Sequence, residues 1–266
     1  MSKEIIIKTD KTVNYVYMDK QESSVQTVFL HGFTGTHRSW SEVAMRLNHQ
    51  SIALDLPGHG KSVFNNLSSN YSISDWIQDF DYILDSLGLD KINLCGYSMG
   101  GRLAIAFAVN YPGRVDKLIL ESASYGLECS KARALRAHED LILSNLIEED
   151  FNQFVQKWQN NALFKKQQDR NPAAFLNQQK DRFSHNSTQL AKALNSFGQG
   201  CMNYYYKELS DFKFPVTIIA GSEDAKYVEI AREMSRLCKL SKLFVVPDSG
   251  HNVHLEKTNQ FIECLK

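Results

Sequence analysis

Five consecutive residues, Gly96-Tyr97-Ser98-Met99-Gly100, constrain what this chain can fold into more than any other segment. An apolar, strand-like run at Ile92–Cys95 precedes them, and a helix-like run at Gly101–Val109 follows. Glycines on either side of a central serine let a backbone turn sharply from strand into helix. The serine hydroxyl is then presented above the end of a sheet, in the G-x-S-x-G elbow. A turn of that kind needs a parallel strand behind it and a covering helix in front. The chain is therefore expected to be an α/β protein with Ser98 as its nucleophile or base.

The surrounding sequence fits that frame. Strand-like runs occur at Ile5–Ile7, Val13–Met18, Thr27–Leu30, Ser51–Leu56, Asn93–Cys95 and Lys117–Leu120. Between two of them, Ile73, Trp76, Ile77, Phe80, Ile83, Leu84 and Leu87 form the single apolar stripe of an amphipathic helix over 71–87. Gly88 stands where a C-terminal cap belongs. Strands alternating with helices imply a mostly parallel sheet covered on both faces. The alternation stops near Glu121. From there to about Ser210 the sequence is rich in Gln, Asn, Lys and Arg, with helical spacing over 132–143 and 151–164 and no strong strand. Strand patterns resume at Val216–Ile219 and Leu243–Val246. The economical reading is one core domain built from 1–121 and 211–266, with 122–210 inserted as an all-helical lid.

Composition removes several function classes. Thirty Lys+Arg balance thirty Asp+Glu, so the formal net charge is zero and no global field favours nucleic acid or an anionic membrane. No apolar run approaches the roughly 18–20 residues that span a bilayer, and the start MSKEIIIKTD lacks the pattern of a secretory leader. Cys95, Cys129, Cys201, Cys238 and Cys264 are scattered, without C-x-x-C spacing. They read as reduced thiols of a cytoplasmic protein with no structural metal.

A serine hydroxyl needs a neighbour to take its proton. The run Val216–Ile219 leads into Gly221-Ser222-Glu223-Asp224, and Leu243–Val246 leads into Pro247-Asp248-Ser249-Gly250-His251. Asp224 and His251 are the candidate acid and base, with Glu223 and His254 as their rivals. His31-Gly32-Phe33 follows Thr27–Leu30. In an elbow fold the backbone N–H groups of Phe33 and Met99 would form an oxyanion hole. The turn-rich loop Asp55-Leu56-Pro57-Gly58-His59-Gly60-Lys61-Ser62 is read as structural.

Together these elements resemble the α/β-hydrolase superfamily, from about Val25 to Phe261. Ser98 separates the chain from the branches with an aspartate nucleophile. One residue is unusual for a hydrolase of neutral substrates. Arg102 lies four positions after Ser98, on the same helical face, where a cation needs an anionic partner. Arg133, Arg136 and Arg182 add cations in the insertion.

Gly96-Tyr97-Ser98-Met99-Gly100-Gly101-Arg102 is similar to the 2-succinyl-6-hydroxy-2,4-cyclohexadiene-1-carboxylate synthase family of menaquinone biosynthesis. So are the run Leu120–Leu127, the stretch His31–Gly35, Gly221–Lys226 and Gly250-His251-Asn252. The resemblance implies a pyruvate-eliminating lyase acting on a small-molecule tricarboxylate, with no cofactor. It places the triad on Ser98, Asp224 and His251. It places substrate-binding groups on Tyr97, Arg102, Arg136, Trp158 and Arg182, with Arg133 the rival of Arg136 and Trp158 equally suited to the lid's own core. A monomer or weak homo-oligomer is expected. Two other readings remain open from the residues alone. One is a serine carboxylesterase, thioesterase or C–C bond hydrolase using an acyl-enzyme. The other is a non-enzymatic scaffold.

Overall fold

The computed structural model describes residues 3–19, 26–164 and 166–266. Met1 and Ser2 of the leader reading, and Val25 at the start of the resemblance, lie outside them. The strands are β1 Lys3–Lys8, β2 Thr12–Met18, β3 Gln26–Leu30, β4 Gln50–Leu54, β5 Val63–Phe64, β6 Ile92–Tyr97, β7 Val115–Glu121, β8 Val216–Gly221 and β9 Ser241–Val246. They form a sheet in the order β1-β2-β4-β3-β6-β7-β8-β9, with β5 paired to β2. β1, β2 and β5 are joined by antiparallel pairings, and the run from β4 to β9 is parallel. β5 is a two-residue pairing that no sequence period announces.

The order explains where a site forms. The chain passes from β3 outward to β4 and then returns to the other side of β3 as β6. The loops after β3 and β6 therefore leave the sheet on opposite sides of a crevice at its carboxyl end, the place where open α/β sheets bind ligands. Phe33 follows β3 and Ser98 follows β6.

The amphipathic helix is Ile73–Ser86, and its buried residues are the expected stripe of Ile73, Trp76, Ile77, Phe80, Ile83 and Leu84. Ser72 caps it: its hydroxyl accepts from Asp75 N–H while the Asp75 side chain accepts from Ser72 N–H. Gly88 adopts φ +69° beyond its end. This helix packs on the helix Met99–Asn110 that leaves the elbow, through Phe80 against Phe107 at 4.7 Å.

Between β7 and β8 the described residues contain helices and no strand. The longer ones are Ser130–Glu149, Phe151–Gln159, Pro172–Phe183 and Ser187–Phe197. They enclose a small core of their own, Ile147, Phe154, Val155, Leu190, Ala191 and Leu194, with Phe33 and Trp158 packed against it. The helix expected over 151–164 ends at Gln159. There Asn161 Oδ1 accepts from Leu163 N–H and a separate turn, Ala162–Phe164, begins. Side-chain capping by Asn competes with helix continuation.

Candidate active site

Ser98 sits between β6 and its helix at φ +51°, a conformation that costs an L-residue energy and here aims the side chain out of the turn. The flanking glycines follow from how tightly strand and helix pack. A Cβ on Gly96 would lie 2.5 Å from Gly100 O, and one on Gly100 would lie 2.3 Å from Leu30 O. Neither position has room for alanine.

The acid and the histidine come from two loops that are zipped together. Ser222 N–H donates to Val246 O, and Glu223 N–H donates to Ser249 O. A Cβ on Gly221 would meet Gly250 O at 2.0 Å, so only glycine allows this approach. Asp224 Oδ2 accepts from His251 Nδ1 at 2.5 Å. With Nδ1 donating, Nε2 is the free acceptor, and it takes the Ser98 hydroxyl at 3.0 Å. The two rivals are engaged elsewhere. Glu223 pairs with Arg170 and Lys166. Buried His254 bonds buried Glu121 at 2.6 Å and stacks on Trp40.

Ser98 and His251 open onto a cavity of about 170 Å³. Phe33, Tyr97, Met99, Trp158, Phe164 and Tyr227 give it an aromatic and apolar lining. Met99 is the first residue of its helix, so its N–H has no intrahelical acceptor and is free to serve a ligand. Gly32 leaves room for the Tyr97 ring, which a Cβ there would meet at 2.7 Å. Trp158 crosses Phe33 edge-on at 5.3 Å, and its buried indole N–H has no partner. It therefore both lines the cavity and packs on the small core of the helices between β7 and β8. Tyr227 packs edge-on to His251 at 4.6 Å. Burial pushes the phenols of Tyr97 and Tyr227 up, so both are hydrogen-bond donors at neutral pH.

Arg102, Arg136 and Lys226 line this cavity against one acid, Asp140. Arg136 is already held by Asp140 at 2.9 Å and by Gln199 at 3.0 Å. Arg102 donates to Phe197 O at 2.8 Å and pairs with no carboxylate among the described residues. Burial lowers its guanidinium to about 10, which leaves it charged at neutral pH. Arg133 faces away, donating to the carbonyls of Leu127 and Glu128.

Arg182 is placed differently from the other sequence candidates. It lies in the last turn of Pro172–Phe183, and it does not line the cavity. It is buried under Phe164, whose ring is 4.9 Å from its guanidinium carbon. Gln178 accepts from Nη2, while Nε and Nη1 have no hydrogen-bond partner among the described residues. Burial lowers it to about 10.

Several lining residues escaped sequence reasoning: Asp140, Leu143, Phe164, Leu194, Gln199 and Tyr227. Asp140 was discoverable, four positions after Arg136 on one helix. The others depend on how the helices between β7 and β8 pack. Among the described residues no group of three or more His, Cys, Asp or Glu is placed to hold a metal, and no helix is long and apolar enough to cross a membrane.

Comparison with known proteins gives concordant results. The family model for the alpha/beta hydrolase fold matches residues 28–258. A Bacillus subtilis (strain 168) protein is 34% identical over 252 residues, which cover 94% of this chain and 92% of the relative. Its name assigns it, provisionally, as a 2-succinyl-6-hydroxy-2,4-cyclohexadiene-1-carboxylate synthase. The Enterobacter sp. (strain 638) protein of that name is 29% identical over 90% of this chain and 89% of its own length. The solved structure of MenH from S. aureus superposes with a TM-score of 0.89 at 30% identity, covering 95% of this chain and 96% of that one.

Proposed function

Since the chain belongs to the α/β-hydrolase fold family and, within it, to the 2-succinyl-6-hydroxy-2,4-cyclohexadiene-1-carboxylate synthases, we propose that its cavity carries out pyruvate elimination in menaquinone biosynthesis. The substrate would be 2-succinyl-5-enolpyruvyl-6-hydroxy-3-cyclohexene-1-carboxylate, a tricarboxylate. The observation that carries this reading is a charged, half-buried Arg102 with no carboxylate partner among the described residues, one helical turn from Ser98. A cation held out of water without an acid is costly unless a ligand supplies one. With Arg136 and Lys226 in the same wall, the cavity suits a polyanion.

In this reading His251, oriented by Asp224, makes Ser98 basic, and Ser98 Oγ takes a ring proton without forming an acyl-enzyme. The C2–H electron pair becomes a C2–C3 double bond, the existing C3–C4 π pair shifts to C4–C5, and the C5–O bond to the enolpyruvyl group breaks with its electrons going to the oxygen. The departing enolpyruvate takes up a proton and leaves as pyruvate. The N–H groups of Phe33 and Met99 hold the enolate-like oxygen that develops on the substrate. Arg102, Arg136 and Tyr97 bind substrate directly, and Trp158 closes the apolar side. Arg182 would join only if Phe164 moves aside. We assign 1–121 and 211–266 to the core and 122–210 to a helical lid. We read the protein as a cytoplasmic monomer or weak homo-oligomer that needs no metal or cofactor.

The triad geometry would equally serve an acyl-enzyme, so the test separates the two chemistries. Arg102→Ala is expected to raise KM for the tricarboxylate at least about tenfold, because a charge-assisted hydrogen bond is lost. Hydrolysis of a neutral p-nitrophenyl ester by the same variant should be unchanged. Undiminished tricarboxylate turnover by Arg102→Ala would count against this site.

A further inference from the structure

The loops that carry Asp224 and His251 are fastened to the inserted helices by one guanidinium. Arg170 ends the short helix Gln167–Arg170. Its Nη2 meets Glu223 Oε1 at 2.6 Å, in the acid loop, and its Nη1 meets Glu256 Oε2 at 2.6 Å, in the helix after the histidine. The same Glu256 oxygen accepts from the N–H of Gly250, the residue before His251, at 2.8 Å. Glu256 is buried, with a side chain 1% exposed, and Arg170 is the basic side chain that pairs with it. Lys166 adds a second contact to Glu223 at 3.2 Å, and Asn171 Nδ2 donates to Leu255 O at 2.8 Å. Arg170, Glu223 and Glu256 line a hollow of about 310 Å³ that includes Asp224 and His251 but not Arg102.

We propose that Arg170 is a positioning residue for the triad: it locks the acid loop to the histidine loop and neutralises Glu223 and Glu256, two carboxylates that line a hollow with His251 and Asp224. This rests on the reading of His251 as the base that accepts the Ser98 proton. A base must be neutral before it acts. Uncompensated carboxylates nearby favour the imidazolium instead. Removing Arg170 would leave Glu256 buried and unpaired behind the His251 loop. The other titratable or charged groups around His251 are Asp224, Tyr97, Tyr227, Lys166 and, lining the same cavity, Arg102, Arg136, Asp140 and Lys226. None of these is altered by substitution at 170, and all are common to the variants compared.

The test follows pyruvate release against pH in Arg170→Gln, Arg170→Lys, Glu256→Gln and the double variant Arg170→Gln/Glu256→Gln, with thermal melting as a folding control. Gln at 256 can still accept from Gly250 N–H. Arg170→Gln should lower kcat about tenfold with KM within about twofold, and raise the acidic limb of kcat/KM by about half to one pH unit. Arg170→Lys should restore most of the rate. The double variant should return the limb to its wild-type position. Glu256→Gln alone should move the limb to lower pH, a sign that holds even if Arg170→Gln fails to fold. An unmoved profile in both single Gln variants, with only a lower melting temperature, overturns the proposal. His251→Ala distinguishes the two levels. If wild-type turnover survives it, the triad reading itself is wrong. If turnover is lost while the Arg170 and Glu256 variants leave the profile unmoved, only the role of Arg170 is rejected.

Discussion

Arg136 and Arg133 differ by less than one turn of the same helix and have opposite fates, and residue-scale predictions follow from that. Arg136 reaches the cavity with Asp140 and Gln199 behind it, while Arg133 spends its donors on two main-chain carbonyls. Arg136→Ala should raise KM about tenfold, whereas Arg133→Ala should leave KM unchanged and affect only stability. Steady-state kinetics of the two variants checks this directly. The pairing with Asp140 was open to a spacing argument, but the side of the helix that faces the cavity was not. Helical period fixes which residues share a face without saying what that face meets. The same limit applies to Arg182. Its position in sequence left no means of telling that Phe164, from a turn eighteen residues earlier, would cover it. Gly100 is the opposite case, since the elbow demands it locally. Gly100→Ala would put a methyl group 2.3 Å from the Leu30 carbonyl oxygen. It should cost more than about 2 kcal/mol of stability and disturb Ser98, seen as a lower urea midpoint together with lower kcat.

At the scale of elements, the parts that repeat a period were legible and the parts that do not were hidden. The helix Ile73–Ser86 shows its buried stripe and its terminal glycine in the sequence itself, while its capping box emerges from the structure. The cap makes a clean test because Ser72 is remote from the cavity. Ser72→Ala should lower stability by about 1 kcal/mol with kcat and KM unaltered. The inner parallel strands were readable because both faces are covered, so each carries an apolar run, whereas edge strand β9 is only partly buried. β5, two residues long, owes its existence to the preceding loop. There Asp55 accepts from His37 N–H, Lys61 N–H and the His37 ring. Burial would raise the Asp55 carboxyl, but its bonds to His37 outweigh burial and hold it below the ordinary range. No short motif announces that network.

Across the whole molecule, one buried cluster of histidines packs against Phe33 and is kept neutral. His31 and His59 are fully buried, His185 nearly so, and their rings contact in series at 4.9 and 5.4 Å beside Phe33. Burial lowers His31 to about 4, and it also lowers His59 and His185. A histidine whose folded pKa lies below its ordinary value of about 6.5 takes up protons more readily when unfolded. The stability this neutrality contributes is therefore complete above about pH 6.5 and is lost as pH falls toward about 4. Melting temperature should fall steeply over that window. His59→Phe keeps the packing and removes one titrating ring whose Nε2 has no partner, so it should make the fall shallower. An unchanged slope would contradict the cluster's role.

The central claim is that Ser98, aided by His251, removes a ring proton from a tricarboxylate and does not acylate. The most direct measurement mixes the purified protein with 2-succinyl-5-enolpyruvyl-6-hydroxy-3-cyclohexene-1-carboxylate and follows pyruvate together with the ultraviolet absorbance of the conjugated diene. Equal, rapid formation of both is predicted, with the rate in Ser98→Ala reduced by at least about a thousandfold. A rate no higher than the spontaneous background, accompanied by Ser98-dependent hydrolysis of p-nitrophenyl esters, would contradict it.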